Sequence, residues 1–138
     1  MTYIIKQLSS AEIEAACDLW RRSSPGVTLQ EWETPAFILN AIKGFEDLCL
    51  VAVENGEVLG AVLGGYFGMR GLVQHLAVEY KHQRRGIATA LMNACCDTFR
   101  RRGIRRVLLG VNQPASMDFY RSVGFVASDS VKLMWKDV

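Results

Sequence analysis

No apolar run in the 138 residues approaches the roughly 20 residues that a membrane-spanning helix needs, so no such helix is expected. The first sixteen residues, MTYIIKQLSSAEIEAA, show no basic leader, long apolar stretch or cleavage site in sequence, and a cytoplasmic location is expected. Histidine is scarce, with only His75 and His82, and the four cysteines, Cys17, Cys49, Cys95 and Cys96, have no ligand-like spacing. Those cysteines read as small apolar core residues, and no metal is expected. Internal repeats, linkers and low-complexity tracts are missing too. With half its residues hydrophobic, the chain is expected to form one domain, residues 1–138, with a single core, and neither a disordered nor a fibrous class is supported.

The net charge of +2 conceals an asymmetry: residues 1–60 carry nine acids against four bases, whereas residues 81–106 hold eight bases and one acid, Asp97. Such a basic segment suits a solvated face, a nucleic-acid surface or a site for a phosphorylated ligand. A nucleic-acid partner is disfavoured, because FRRRGIRR has only Phe99 as an interleaved aromatic and matches no reader motif. Arg100, Arg101 and Arg102 read more economically as a solvated helix end, where cations suit the dipole.

Patterning gives the element order. YIIKQL (residues 3–8) has strand character, and Ser9 with Glu12 forms a capping-box signature before Ile13, Ala16, Cys17 and Trp20 at helical spacing. Residues 21–33 are rich in turn formers and read as a loop. Thr34 and Pro35 then resemble an N-cap and first helical position for a short helix ending near Gly44. Two β-rich runs flank Asn55-Gly56, the favoured chemistry of a tight hairpin. A fourth strand follows at 71–80, then a helix with Ala88, Leu91, Met92, Cys95 and Phe99 on one face and Gly103 as its stop. Residues 105–111 read as a short buried strand, PASMDFYRSV as a helix stopped by Gly124, and the remainder as a terminal hairpin or two short strands. The expected fold is α/β: a mixed sheet of six to seven strands flanked by about four helices, with a parallel crossover between the fourth and fifth strands.

At that crossover stands KHQRRGIATALM, where cations, a glycine and a helix start coincide. A helix N-terminus offers unpaired N–H groups and the positive end of its dipole, and a glycine lets the backbone approach an anion closely. The same residues also suit a plain surface cap. Downstream, Asn112 reads as a turn or capping residue, Tyr120 as a packed aromatic and Gly124 as a C-cap, each equally consistent with architecture alone.

Taken together, the strand residues Leu76 to Val78, the QRRGIA loop, the helix through Phe99, VLLGV, Asn112, Tyr120 and Gly124-Phe125 resemble the GCN5-related N-acetyltransferase (GNAT) superfamily. GGYFGMRG is similar to the same segment of small stand-alone bacterial members of the YpeA-like kind. The resemblance implies transfer of an acetyl group from acetyl-CoA to a primary amine by direct attack on the thioester. It places the pyrophosphate loop on Gln83, Arg84, Arg85, Gly86, Ile87 and Ala88, pantetheine contacts and a bulge on Leu76, Ala77 and Val78, and a cofactor contact on Asn112. Tyr120 matches the tyrosine that protonates the departing thiolate. Three departures stand out: Ala88 replaces a glycine, Tyr80 stands where a proline often ends the strand, and the spacing from Asn112 to Tyr120 is one longer than in many members.

The general base is unassigned. His75 and Glu79 on the fourth strand are candidates, as are Glu31 and Glu33 from the loop, and the amine can also lose its proton to solvent. Alternation puts His75, Ala77 and Glu79 on one face of that strand and Gln74, Leu76 and Val78 on the other. The alternative reading is a non-catalytic acyl-CoA-binding regulatory module. Glu31, Glu33, Glu46 and Asp47 suit either a cationic acceptor or a solvated acidic face, so the acceptor, small molecule or peptide, stays open, as does an acyl group longer than acetyl. The apolar face of VKLMWKDV is consistent with a homodimer or with completion of the chain's own sheet.

Overall fold

A computed structural model describes residues 2–23 and 26–138; Ser24 and Pro25, within the segment expected to be a loop, lie outside it. Five strands, β1 (Ile4–Gln7), β2 (Leu50–Glu54), β3 (Glu57–Phe67), β4 (Arg70–Val78) and β5 (Val107–Leu108), form one sheet in sequential order. The first four are antiparallel neighbours and β4–β5 is parallel, as the crossover requires. The helices are α1 (Ile13–Arg22), α2 (Pro35–Ala41), α3 (Ile87–Arg101) and α4 (Met117–Ser122).

Local chemistry sets the boundaries. Thr34 Oγ1 accepts from the Phe37 N–H at 3.2 Å with Pro35 in the first turn, and the Glu12 carboxylate reaches back to the Ser9 N–H at 2.9 Å. Asn55 and Gly56 both have positive φ, +52° and +78°, the signature of a type I′ turn, and Glu54 pairs with Glu57 across it. After α3 and α4 the chain turns at Gly103 and Gly124, with Ile104 N–H returning to Phe99 O and Phe125 N–H to Tyr120 O.

The sheet has a core on each face. On one, α1 and α2 bury Ala16, Trp20, Ile38 and Ile42 against Val51 and Ala61; on the other, α3 buries Leu91, Met92, Cys95 and Phe99 against Val62 and Val73. The second contact is close because glycines face α3. A Cβ at Gly71 would lie 2.6 Å from Phe99 Cε1, and one at Gly64 2.9 Å from Cys95 Sγ. Cys17, Cys49 and Cys95 are buried free thiols, and burial pushes Cys49 up to about 11 and Cys95 up to about 12, so both stay protonated. Ala88, expected both on the apolar face of α3 and in the anion-binding loop, is half-buried and lines a cleft.

Three expectations change. The described residues contain five strands instead of six to seven, because residues 126–138 pair with nothing as a strand and expose Val131, Leu133 and Trp135. The strand at 105–111 shrinks to two residues and is not buried, Leu108 being 48% exposed, since no further strand covers its outer edge. Leu133 lies close by, its Cδ2 3.9 Å from where a Cβ on Gly110 would be. On β4 strict alternation fails: Ala61 pairs with Ala77 but Leu63 with Gln74, leaving one extra residue at His75–Leu76, and His75 has φ +60°. This bulge carries Gln74 to the face of His75 and leaves Val73 on that of Leu76 and Val78.

Candidate active site

The bulge and the short β5 together make a cleft. Hydrogen-bonded pairing of β4 with β5 ends at Leu72↔Leu108, and beyond it Leu76, Ala77 and Val78 face Gly110, Val111 and Asn112 across a cavity of about 650 Å³. On this side the end of β4 has no strand partner among the described residues, so its backbone can receive an extended, amide-bearing ligand as another strand would be received.

One end of the cleft is the start of α3. Arg84 and Gly86 take left-handed φ values of +67° and +78°, with Arg85 between them, and no side chain among the described residues caps the helix. The N–H groups of its first turn are therefore left for a ligand, and the dipole favours an anion there. Gln83, Arg84, Gly86, Ile87 and Ala88 all line the cleft, and Gln83 Nε2 donates to Val78 O at 3.3 Å, tying the loop to the end of β4. Arg85 is the exception: its guanidinium turns away to Glu54 at 2.9 Å and is absent from the cleft wall. A buried carboxylate on β2 captures it.

At the far wall Tyr120 and Phe119 come from α4. Tyr120 meets Phe119 and Phe125 edge-on, with centroids 5.2 and 6.0 Å apart. Burial pushes its phenol above the ordinary value, so the hydroxyl keeps its proton. Asn112 lines the same wall.

The four candidate bases separate in space. Glu79 alone lines the cleft, and its carboxylate is paired with Arg22. His75 turns away: its ring packs edge-on to Trp20 at 5.3 Å, and its Nε2 is buried and 3.8 Å from Glu33 Oε2. Burial holds that imidazole below its usual pKa, against the opposing pull of Glu33. Trp20 Nε1 also donates to His75 O at 2.6 Å, fixing the bulge to α1. Glu31 is exposed and not on the wall, while Glu33 Oε1 accepts from Gln30 N–H. Neither Glu46 nor Asp47 reaches the cleft; Asp47 binds Arg102 at 2.6 and 3.1 Å, so within the exposed helix end formed by Arg100, Arg101 and Arg102 the last residue also tethers α3 to the Glu46–Leu48 turn.

Sequence reasoning missed the contribution of α1 and the segment after it: Leu19, Arg22, Ser23, Gly26 and Val27 form a wall of the cleft. Nothing local marks them, since their role depends on α1 packing across β4. Phe119 also lines the site, and its position beside Tyr120 on a short helix was the available signal.

Known proteins resemble this chain in sequence and in fold. The family model described as Acetyltransferase (GNAT) family matches residues 13–125. Acetyltransferase SG1711 of Sodalis glossinidius is 33% identical over 128 residues, covering 91% of this chain and 88% of that protein. Among solved structures, Ard1 from Thermoplasma volcanium superimposes with a TM-score of 0.74 at 24% identity, covering 93% of this chain and 85% of Ard1. A predicted acetyltransferase with acetyl-CoA from Clostridium acetobutylicum gives 0.75 at 14% identity, with 96% of each chain covered. The chain belongs to the GNAT family of acetyltransferases.

Proposed function

We propose that the protein is an acetyl-CoA-dependent N-acetyltransferase that delivers the acetyl group to a primary amine by direct attack on the thioester. The observation that carries this reading is the meeting, in one cleft, of an unpaired strand end, an uncapped helix N-terminus behind two left-handed residues, and a protonated phenol. The solved relative holding acetyl-CoA supports the choice of donor.

In this reading the loop N–H groups and Arg84 hold the pyrophosphate, and the open side of β4 at Leu76–Val78 receives the pantetheine amides. Acetyl-CoA supplies the activated thioester. A backbone N–H near Ala77 or Val78 donates to the carbonyl oxygen as negative charge develops there. The new C–N bond forms, the C–S bond breaks, and Tyr120 donates toward sulfur. Transfer from a phenol above about 10 to a thiol of about 8.5 is uphill, so Tyr120 acts chiefly through a hydrogen bond that strengthens as sulfur gains charge. The amine proton leaves to Glu79, the only one of the four proposed bases on the cleft wall, or to solvent.

Thiol release from acetyl-CoA over a panel of primary amines, for the natural chain and Tyr120→Phe, tests this. Amine-dependent release that falls about 10²-fold in the variant is expected for loss of a hydrogen-bond donor to the charge developing on sulfur. Binding of CoA without turnover on any amine overturns the catalytic reading in favour of a binding module.

A further inference from the structure

Arg85 was expected to hold the anion, yet its side chain is engaged elsewhere, and the way it is held has a consequence for the loop. Glu54 ends β2, is 7% exposed, and receives both guanidinium arms, Nη2 to Oε2 at 2.9 Å and Nη1 to Oε1 at 3.3 Å. The same Nη1 lies 2.9 Å from His82 Nδ1, and the guanidinium carbon stands 5.8 Å from the centre of the Tyr3 ring. An imidazole nitrogen that accepts from a guanidinium carries no proton, so the His82 proton is on Nε2, 3.6 Å from Glu57 Oε1. The loop is therefore pinned to the β2–β3 hairpin through Arg85 and to β4 through Gln83. Between and beside these pins are Arg84 and Gly86 in left-handed conformations, and for Arg84 that conformation is disfavoured by its Cβ.

We propose that Glu54 is a positioning residue for donor binding: by clamping Arg85 from behind, it holds Arg84 and Gly86 in the conformations that turn the loop and the first turn of α3 toward the cleft. Glu54 touches no ligand in this scheme and acts through Arg85. The inference rests on the reading of the cleft as a CoA site and adds a residue that no loop motif contains.

The clamp and the direct-ligand roles of Arg85 predict opposite signs. Glu54→Gln keeps the shape of the side chain but weakens its hold on the guanidinium. If Arg85 were a phosphate ligand in waiting, freeing it would tighten CoA binding; if it is a clamp, the loop loses its set conformation and binding weakens. Calorimetric titration of CoA into the natural chain, Glu54→Gln and Glu54→Asp, with thermal midpoints recorded alongside, separates them. A rise in Kd of about ten-fold is expected in Glu54→Gln, the scale of one charged hydrogen bond lost behind the loop, and a smaller rise in Glu54→Asp, which restores the charge at shorter reach. An unchanged or lower Kd in Glu54→Gln, with or without a lower midpoint, overturns the clamp. Glu54→Asp supplies the same comparison should Glu54→Gln fail to fold. Failure of the natural chain to bind CoA overturns the donor reading itself, and the clamp with it.

Discussion

Adding one methyl group at Gly71 should loosen the seat of α3 and with it the floor of the cleft. Its Cβ would meet Phe99 Cε1 at 2.6 Å and Cδ1 and Cζ at 3.0 Å, and Phe99 is 1% exposed. A ring so enclosed has no open space to swing into, so the strand or its neighbours in the core must shift. Overpacking of this kind costs about 1–3 kcal/mol, and the stiffer unfolded chain of an alanine variant returns about 0.4–1 kcal/mol. The net loss for Gly71→Ala is therefore about 1–2 kcal/mol, which for a chain of this size lowers the thermal midpoint by roughly 4–8 °C. Gly65 on the neighbouring strand is the control. Its added Cβ would find nothing nearer than the Phe45 ring at 3.5 to 3.7 Å, ordinary contact, so Gly65→Ala should be neutral or slightly stabilising. Urea denaturation of both variants gives the comparison. Phe99→Leu should be less damaging in a chain that already carries Gly71→Ala than in the natural one, by about 1 kcal/mol of coupling. A Gly71→Ala protein as stable as the natural one, or a Gly65→Ala protein that is less stable, would refute the packing argument.

Two further outcomes follow from the site. Gly86→Ala forces a side chain into a left-handed position at φ +78° with open space around it; it should cost about 1 kcal/mol and raise the KM for acetyl-CoA more than that for the amine, as steady-state kinetics would read. His75 has a depressed folded-state pKa because it is buried, so the unfolded chain binds the extra proton first. Its contribution to stability is complete above its unfolded value of about 6.5 and falls away as pH drops through the folded one, and His75→Gln should flatten that part of a denaturation-versus-pH curve.

What was legible in the sequence was mostly local. Asn55-Gly56, Thr34-Pro35, Ser9 with Glu12, and the stops at Gly103 and Gly124 each act through hydrogen bonds within a few residues, and each appears where it was expected. The family and the cleft-lining loop were legible as well, because the motif carries a backbone geometry that is read from its glycine and its place after a strand. Contacts distant in sequence were not. Arg85 looks like any other cation of KHQRRG until Glu54, 31 positions away, is folded against it. The bulge at His75 interrupts the two-residue period without a glycine or proline to announce it, so Gln74 was assigned to the face of Leu76 and Val78 as if the strand were regular. Residues 131–138 alternate like a strand, but a strand also needs an edge, and β5 offers only two paired residues.

A crystal structure of the protein with acetyl-CoA bears on the cleft assignment more directly than any variant. The pyrophosphate should lie against the backbone of Arg84 to Ala88, pantetheine along Leu76 to Val78, and the thioester sulfur within hydrogen-bonding distance of the Tyr120 hydroxyl. A donor bound outside the β4–β5 cleft, or a sulfur beyond the reach of Tyr120, would contradict that assignment.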